Sequence, residues 1–365
     1  MAERGATPQV SPARRRALHA VRAFFSPLLP DDYLELINPL WSTRELRGRI
    51  ERIDEETADT VTVLIRPGYE WTGHRPGQYL RIGVVIDGVH HWRAYSLTSE
   101  PGRPDGCISI TPKLVDSGKV SPYLVRQARP GDVVRLGGVE GTFVLPEPVP
   151  AKLLFISAGS GITPIMSMLR SLHRGDAARD VAHIHSARTF DDVIFADRLR
   201  EIDEAHAGYR LRLRITGEEG RIAPADLDEL CPDWRTRHAF LSGPGEMLDA
   251  MSEHWKGEGV AEMLRVERFQ PMIGGDPGGG EGGSVRFVKS GLQAECDGAT
   301  PILVGGEEAG AVLPFGCRMG ICHTCVGKLC AGEVRDLRTG EVHGNEGEMI
   351  RTCVNAPEGP IEIAL

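Results

Sequence analysis

Long hydrophobic runs are missing from this sequence, and none approaches the roughly 20 apolar residues that a membrane-spanning helix needs. Positive charge is also scarce. There are 42 Lys and Arg against 51 Asp and Glu, and the resulting net charge of −9 argues against general nucleic-acid binding. No internal repeat is present, so a repeat architecture is not expected. What remains is a 365-residue chain of ordinary composition, long enough for two or three domains with separate cores.

The eight cysteines do not form the pattern of a disulfide framework. Disulfide-rich scaffolds belong to small secreted domains, so a chain of this size is predicted to work in a reducing cytoplasm. Four of the cysteines are scattered and show no pairing signature: Cys107, Cys231, Cys296 and Cys330.

The N-terminal segment is rich in arginine. Residues 13–25 predict a basic amphipathic helix rather than a signal peptide, because Arg22 interrupts the apolar stretch and no small-residue cleavage site follows. Two interpretations stay open. The helix contacts an anionic membrane surface or a membrane-bound partner, or, as the favoured interpretation, it packs on the next domain or is a frayed leader. The predicted location is the cytoplasm, with the inner face of the membrane as the alternative.

Short strand-like runs, separated by Gly and Pro turns, fill residues 42–148 after a leader of residues 1–41. This pattern predicts a closed antiparallel β-barrel. The predicted strands are Leu46–Ile53, Val61–Arg66, Gln78–Val85, Cys107–Thr111 and Asp132–Leu136.

Strands alternate with helices after Pro150, which predicts βαβ units and a mostly parallel α/β sheet over residues 149–271. The predicted strands are Lys152–Ser157, Val181–Ser186, Leu211–Thr216, His238–Ser242 and Leu264–Phe269, and the predicted helices are Thr163–His173 and Asp191–Glu204.

Seven of the ten residues 274–283 are glycine, too many for a packed element. We interpret residues 272–283 as a flexible tether. Residues 284–365 then form a third, small domain.

This small domain carries C-x4-C-x2-C within CRMGICHTC and a fourth cysteine after 27 intervening residues. The spacing is that of a plant-type [2Fe–2S] site, in which four thiolates hold two irons. A zinc ribbon would need paired C-x2-C knuckles, and a Rieske centre two histidine ligands. His323 is predicted to point away from the site and Cys330 to be a small apolar side chain. The predicted ligands are Cys317, Cys322, Cys325 and Cys353.

A glycine turn separates the first strand and helix of the α/β region. Gly159 and Gly161 let the backbone approach a pyrophosphate, and the helix that follows supplies free N–H groups. Pro164 suits the first helical turn. A plain tight turn is the alternative, but the βαβ context favours a dinucleotide site.

The second strand of this region ends at Ser186-Ala187-Arg188, where an NAD site would place an acidic side chain on the ribose. A hydroxyl and a guanidinium suit a 2′-phosphate better, which predicts NADPH. NADH stays the alternative because two acidic residues, Asp191 and Asp192, follow closely. If Arg188 does not bind a phosphate, it is a solvated charge in a loop.

Two segments of the barrel region are candidate ligand sites. RAYSLTS, residues 93–99, could bind a phosphate through Arg93 while Tyr95 covers a flat ligand, or could be a plain strand end. GKVSPYL, residues 118–124, precedes a helical stretch and could cradle a pyrophosphate, unless Ser121 is only a helix N-cap.

Taken together, these motifs resemble the ferredoxin-reductase-like flavoprotein family in the version with a fused C-terminal plant-type ferredoxin domain. RAYSLTS and PGQYLRI are similar to the flavin-binding strands, GKVSPYL to the segment that grips the FAD pyrophosphate, and AGSGITP and LSGPGEM to the nicotinamide-nucleotide segments. Ser242 departs from the cysteine that the family often has. The leader LLPDDYLELINPLW is similar to that of actinobacterial reductases that serve fatty-acyl desaturases or related oxygenases.

The resemblance implies an antiparallel β-barrel flavin domain, an α/β parallel-sheet nucleotide domain and an α+β β-grasp-type ferredoxin domain. It implies the cofactors FAD, NADPH and a [2Fe–2S] cluster, with hydride passing to the flavin and single electrons to the cluster. The catalytic positions it implies are Tyr95, Ser96 and Ser242. The cofactor contacts it implies are Arg93, Ala94, Tyr95, Ser96, Thr111, Lys113, Gly118, Lys119, Val120, Ser121, Gly159, Gly161, Thr163, Pro164, Ser186, Arg188, Gly243 and Pro244.

The expected function is therefore an NAD(P)H-dependent electron-transfer reductase. Its expected acceptor is a membrane-bound non-haem di-iron desaturase or hydroxylase (a monooxygenase) that acts on acyl chains, and no nucleic acid is expected as a partner. The alternatives are the reductase component of a soluble ring-hydroxylating oxygenase, and a redox sensor or carrier without an oxygenase partner.

Overall fold

The computed structural model describes residues 37–42, 45–86, 88–115, 118–174, 179–269, 280–298, 300–315, 320, 323–337 and 339–365, without the side chains of residues 89 and 90. The predicted helix 13–25, most of the predicted tether, and the predicted ligands Cys317 and Cys322 lie outside these residues. The chain divides into two compact units: the larger runs up to His91 and from Tyr95 to Arg268, and the smaller consists of Trp92–Ala94 and Phe269–Leu365.

The first part of the larger unit is an antiparallel sheet in the order β4-β3-β6-β1-β2-β5. A bridge between Leu97 and Ile110 joins the two edge strands and closes the sheet into the predicted barrel. Its interior is apolar, with Ile50, Val63 and Leu80 fully buried. The elements are β1 (Arg47–Thr57), β2 (Thr60–Pro67), β3 (Tyr79–Ile86), β4 (Val89–Ser96), β5 (Ile108–Ile110), α1 (Val120–Arg126) and β6 (Val133–Glu140).

The second part of the larger unit is the predicted parallel sheet, in the order β11-β10-β7-β8-β9. Its two faces belong to separate apolar clusters, as expected for a sheet with both faces covered. The strands are β7 (Lys152–Ala158), β8 (Asp180–Ala187), β9 (Tyr209–Ile215), β10 (His238–Ser242) and β11 (Leu264–Glu267). The helices are α2 (Ile162–Arg174), α3 (Ala196–Ala205), α4 (Thr216–Glu219), α5 (Leu227–Leu230) and α6 (Gly245–Gly257).

The predicted helix Asp191–Glu204 begins later than the sequence pattern indicates. A short 3₁₀ turn closed by a capping box between Thr189 and Asp192 comes first, and Phe195 takes a left-handed conformation with φ 63°. Because a left-handed residue cannot continue a right-handed helix, α3 starts only at Ala196.

One face of the parallel sheet contains a buried row of polar rings. The His183 ring lies 2.7 Å from the Tyr209 hydroxyl and 3.0 Å from Ser157 Oγ, and His185 Nδ1 lies 2.8 Å from the same Ser157 oxygen. Burial lowers the pKa of His185 to about 4 and also lowers that of His183. Both imidazoles are therefore held neutral inside the fold.

Among its described residues, the smaller unit combines a mixed sheet with one helix, the predicted α+β arrangement. Strands β12 and β17 are parallel neighbours, and the sheet order is β13-β12-β17-β14-β15. Gly283 already belongs to this sheet, and a Cβ there would lie 2.1 Å from the Gly359 carbonyl oxygen. The elements are β12 (Gly283–Phe287), β13 (Gln293–Cys296), α7 (Ile302–Glu308), β14 (Val326–Asp336), β15 (Val342–His343), β16 (Met349–Arg351) and β17 (Asn355–Ile363).

Within the described parts of the chain, no helix is long and apolar enough to cross a membrane.

Candidate functional site

The glycine turn lies at the carboxyl edge of the parallel sheet, between β7 and α2. Gly159 to Gly161 form a 3₁₀ turn, and Gly159 has a φ of 52° that favours glycine. A Cβ on Gly161 would lie 2.1 Å from the carbonyl oxygen of Ser242, so no side chain fits there. Thr163 donates from its hydroxyl to the Ser160 carbonyl at 2.9 Å, and Pro164 occupies the first turn of α2. The free N–H groups of this helix start suit a pyrophosphate.

Ser242 ends β10 next to this turn. Its register partners are Ser157 on β7 and Glu267 on β11. Its hydroxyl is fully buried and forms no hydrogen bond with any described residue. A buried polar atom without a partner is costly, and a ligand at this edge would satisfy it.

Gly243 and Pro244 carry the chain from β10 into α6. A Cβ on Gly243 would lie 3.2 Å from that of Ala158, so glycine keeps the two strand ends close together. Pro244 is the residue that caps α6.

Glu267 is a residue of this edge that the sequence did not reveal. Burial raises its pKa to about 7. It lies beside Ser242 only because β10 and β11 are parallel neighbours, and a lone Glu near a strand end carries no signal of that pairing.

Ser186 and Arg188 lie at the same edge, at the end of β8. Ser186 is buried, whereas the Arg188 side chain is 79% exposed and lies 3.6 Å from Asp192. The register also places Arg214 of β9 directly opposite Ser186. Arg214 is a second cation near the predicted 2′-phosphate position, and its guanidinium donates to the carbonyls of residues 219 and 220. The alternation of basic residues in YRLRLRI could have indicated it.

In the barrel, Arg93, Ala94, Tyr95 and Ser96 form the last half of β4. Leu97 points into the barrel core, so its neighbours Ser96 and Thr98 share the opposite face.

Two further predicted contacts lie near this strand. In the register set by the bridge between Leu97 and Ile110, Thr111 is the position opposite Ser96. Lys113 Nζ pairs with Asp59 at 2.7 Å, and a phosphate would have to compete with that carboxylate.

The segment at α1 is built differently from the expected N-cap. Lys119 is the N-cap residue, and Gly118 donates its N–H to the Val115 carbonyl at 2.8 Å. Ser121, in the first turn beside Val120, accepts a hydrogen bond from the Val115 N–H at 3.1 Å. The Ser121 hydroxyl therefore fastens the preceding loop to the helix, and the N-cap interpretation of this residue is wrong.

In the smaller unit, Cys325 and Cys353 are almost fully buried side by side, with their sulfurs 3.0 Å apart. The backbone N–H of Gly320 donates to Cys353 Sγ at 3.2 Å, and Arg351 donates to the Gly320 carbonyl at 2.9 Å. Backbone donors to sulfur favour a thiolate, which fits an iron–sulfur site. His323 is exposed and has a left-handed φ of 53°.

Three family profiles match consecutive parts of the chain. They are described as an oxidoreductase FAD-binding domain over residues 52–145, an oxidoreductase NAD-binding domain over residues 155–253, and a 2Fe-2S iron-sulfur cluster binding domain over residues 287–358.

Known proteins share this arrangement. An NADPH oxidoreductase of Mycobacterium tuberculosis is 45% identical over 360 residues, which cover 96% of this chain and 94% of the relative. A stachydrine N-demethylase reductase subunit of Rhizobium meliloti is 28% identical and covers 87% of this chain and 95% of its own. The solved structure of phthalate dioxygenase reductase covers 87% of this chain and 97% of its own, with a TM-score of 0.57 and 20% identity, which shows a common fold.

Proposed function

This chain belongs to the ferredoxin-reductase-like flavoproteins with a fused plant-type [2Fe–2S] domain, and we propose that it delivers electrons from NADPH to an oxygen-activating enzyme. As a member it is an oxidoreductase that uses FAD, a nicotinamide nucleotide and a [2Fe–2S] cluster. A bound flavin supplies the exchange between two-electron and one-electron chemistry, and a bound cluster supplies single-electron transfer.

The residues of the parallel sheet are proposed to bind NADPH. Gly159, Gly161 and the start of α2 receive its pyrophosphate, and the unpaired hydroxyl of Ser242 faces its nicotinamide. Ser186 and Arg188 bind its 2′-phosphate, with Arg214 of the neighbouring strand as a second cation.

The residues of the barrel are proposed to hold FAD. Arg93 binds its pyrophosphate together with the loop and first turn at Gly118 to Ser121, while Tyr95 and Ser96 contact the ring. Cys325 and Cys353 are two of the four proposed cluster ligands, with Cys317 and Cys322 as the others.

The acceptor is proposed to be a di-iron desaturase or hydroxylase that acts on acyl chains. The observation that carries an oxygen-activating acceptor is the three-part architecture, because relatives that share it are named as reductase subunits of glycine betaine monooxygenase and of 3-ketosteroid-9-alpha-monooxygenase. The leader sequence supports the acyl-chain class. A soluble ring-hydroxylating oxygenase is the second candidate, supported by the fold shared with phthalate dioxygenase reductase.

Reconstitution tests the acceptor. The purified holoprotein is given NADPH, oxygen, and either a stearoyl-coenzyme A desaturase in vesicles or a soluble ring-hydroxylating oxygenase with its aromatic substrate. We expect NADPH consumption to match unsaturated product in the first mixture. Product formed only in the mixture with the ring-hydroxylating oxygenase would move the proposal to that class. A rate of NADPH oxidation that neither oxygenase changes would favour a redox carrier or sensor.

Two apolar side chains near the cluster loop support docking of a partner on the smaller unit. Val312 is fully exposed and Phe315 is 43% exposed, five and two positions before the predicted ligand Cys317. Val312→Lys should weaken electron delivery to the acceptor without changing cluster content. Val288→Lys, at another exposed apolar position of the same unit, is the matched control.

Contact with the membrane is proposed for the N-terminal segment. Deleting residues 1–36 should abolish co-sedimentation with vesicles containing phosphatidylserine and leave NADPH oxidation with ferricyanide unchanged. Equal sedimentation of both forms would remove this part of the proposal.

A further inference from the structure

A row of buried hydroxyl groups lies on the outer face of the barrel sheet, the face that carries the predicted flavin contact Ser96, and ends at a carboxyl group. Thr62 Oγ1 lies 2.6 Å from Glu56 Oε1 and 2.9 Å from Thr111 Oγ1. Thr111 donates to Thr98 at 3.3 Å, and the Thr98 and Ser109 hydroxyls are 2.8 Å apart. These hydroxyl-bearing residues are 0% to 7% exposed, and we call them, with Glu56, the hydroxyl row.

The hydroxyl row reaches a residue implied to touch the flavin. Ser96 is opposite Thr111 in the register of the Leu97–Ile110 bridge, and Cβ atoms of directly opposite residues are about 5 Å apart. Ser96 is itself almost fully buried and lies on the same face as Thr98. Thr111, in the middle of the row, is therefore the member opposite the predicted flavin contact, and Thr62 connects it to Glu56.

A carboxyl group at one end gives the hydroxyl row a direction. Each hydroxyl has one hydrogen to donate. When Glu56 is protonated, each oxygen of the row can donate to the next one away from Glu56. When Glu56 is ionised, the whole series reverses and points towards it. One proton entering at Thr111 and one leaving from Glu56 are therefore linked by a shift of the hydrogens of Thr111 and Thr62 between them.

The surroundings of Glu56 act on its pKa in both directions, with a net increase. Burial raises its pKa, against the lowering effects of the hydrogen bonds from Thr62 and Phe195 and of the Arg170 guanidinium. Asp54 on the same strand raises it further. Glu56 is only partly buried, so its outer side can exchange a proton with water.

The reductase reaction leaves a proton to be removed. Oxidation of NADPH releases a hydride, which amounts to two electrons and one proton. The two electrons leave singly through the cluster, so one proton per NADPH must leave the flavin site by another route.

We propose that Glu56 receives this proton through Thr111 and Thr62. Along the row one O–H bond breaks as the next one forms, Glu56 becomes a carboxylic acid, and it then releases the proton to solvent. No electron moves through these residues. Glu56 also accepts a hydrogen bond from the Phe195 N–H at 3.3 Å and so ties the barrel to the nucleotide-binding part of the same unit. A purely structural role in that tie is the competing explanation.

One substitution tests the carboxylic acid, and a second separates proton transfer from the tie. Glu56→Gln cannot become a carboxylic acid, and its one amide oxygen can accept from either Thr62 or Phe195 but not from both, because these two donors bind different oxygens of Glu56. Thr62→Val interrupts the row and leaves the Phe195 contact in place. Glu56→Asp is the conservative rescue. Thr60→Val is the matched control, because Thr60 is a fully buried threonine of the same strand whose hydroxyl donates to Asp59 instead.

The measurement uses the full-length holoprotein, reduced with NADPH and mixed anaerobically with ferricyanide in place of the acceptor. Flavin re-oxidation is followed across pH in H₂O and D₂O. We expect Glu56→Gln and Thr62→Val to slow it on the order of tenfold or more and to remove its pH dependence and solvent isotope effect. Thr60→Val should re-oxidise at the rate of the parent protein, and the re-oxidation rate of Glu56→Asp should still depend on pH.

An infrared difference spectrum between reduced and re-oxidising protein gives an independent readout. We expect the carbonyl stretch of a protonated carboxyl group in the parent and its loss in Glu56→Gln. The proposal is overturned if that band is absent from the parent, or if both row variants keep the parental pH profile and isotope effect. The inference rests on the reductase activity of the family and not on the proposed acceptor.

Discussion

The two units of this protein place their functional groups differently with respect to their apolar cores. In the larger unit, the predicted NADPH contacts lie at the edge of the parallel sheet, and most of the predicted FAD contacts lie outside the apolar cluster of the barrel, although Val120 belongs to that cluster and Tyr95 packs against it. In the smaller unit, Cys325 and Cys353 belong to the apolar core itself. Substitution of a cofactor contact should therefore weaken cofactor binding in the larger unit, whereas substitution of a cluster-ligating cysteine should destabilise the fold of the smaller unit.

The largest effect that would test this contrast is expected from Cys353→Ser. We expect complete loss of cluster absorbance and a lower unfolding temperature of the smaller unit, because metal-site formation and folding are coupled. NADPH should still reduce the flavin. Iron and sulfide analysis, calorimetry and anaerobic absorbance spectra check the three statements. If this variant also loses flavin reduction by NADPH, the larger unit depends on the cluster of the smaller one, and the contrast is wrong.

The second-largest difference between the units is expected in the way their stability depends on acidic pH. Burial lowers the pKa of His185 from 6.5 to about 4, so the unfolded chain binds the additional proton between those values. The contribution of His185 to the free energy of unfolding is fully present above pH 6.5. As the pH falls from 6.5 towards 4, protonation of the unfolded chain lowers this free energy by about 3 kcal/mol. Chemical denaturation of the larger unit should show this slope. In His185→Gln, which keeps a partner for Ser157, the slope should shrink; an unchanged slope would assign it to other groups.

Gly161→Ala is expected to damage the NADPH site of the larger unit alone. The new Cβ would lie 2.1 Å from the Ser242 carbonyl oxygen, and backbone cannot move aside cheaply. We expect a cost on the order of 2 kcal/mol and a similar loss of NADPH affinity, with cluster content unchanged. Gly257→Ala is the control, since a Cβ there meets no atom within 4 Å.

Arg188→Ala should give a smaller and coenzyme-specific effect. Loss of one cation at the 2′-phosphate should weaken NADPH about tenfold and NADH hardly at all. Steady-state KM values for both coenzymes measure it. Equal losses for both would make Arg188 structural, and a larger loss in Arg214→Ala would make that residue the main phosphate contact.

Cys330→Ser should have the smallest effect. This thiol is only partly buried and its sulfur lies 3.7 Å from the Lys328 carbonyl oxygen. We expect an unchanged cluster spectrum, whereas bleaching would show that Cys330 replaces one of the four predicted ligands.

The predictable parts of the molecule are those encoded by neighbouring residues. The barrel and the parallel sheet follow from strand and helix periodicities, whereas the small α+β domain follows from the family resemblance that its cysteine motif carries, and all three are confirmed. The start of α3 was missed because the conformation of Phe195 departs from what an apolar pattern indicates. Glu267 and Arg214 were missed because their neighbours Ser242 and Ser186 are distant in sequence.

The cysteine spacing and the glycine turn were determined by sequence alone, since a cluster loop and a strand–turn–helix are built from residues close together in the chain. The approach of Gly161 to Ser242, and the contact between Thr62 and Thr111, 49 positions apart, were decided only by tertiary structure. Strand register brings such residues together, and register depends on the packing of whole sheets rather than on any local pattern.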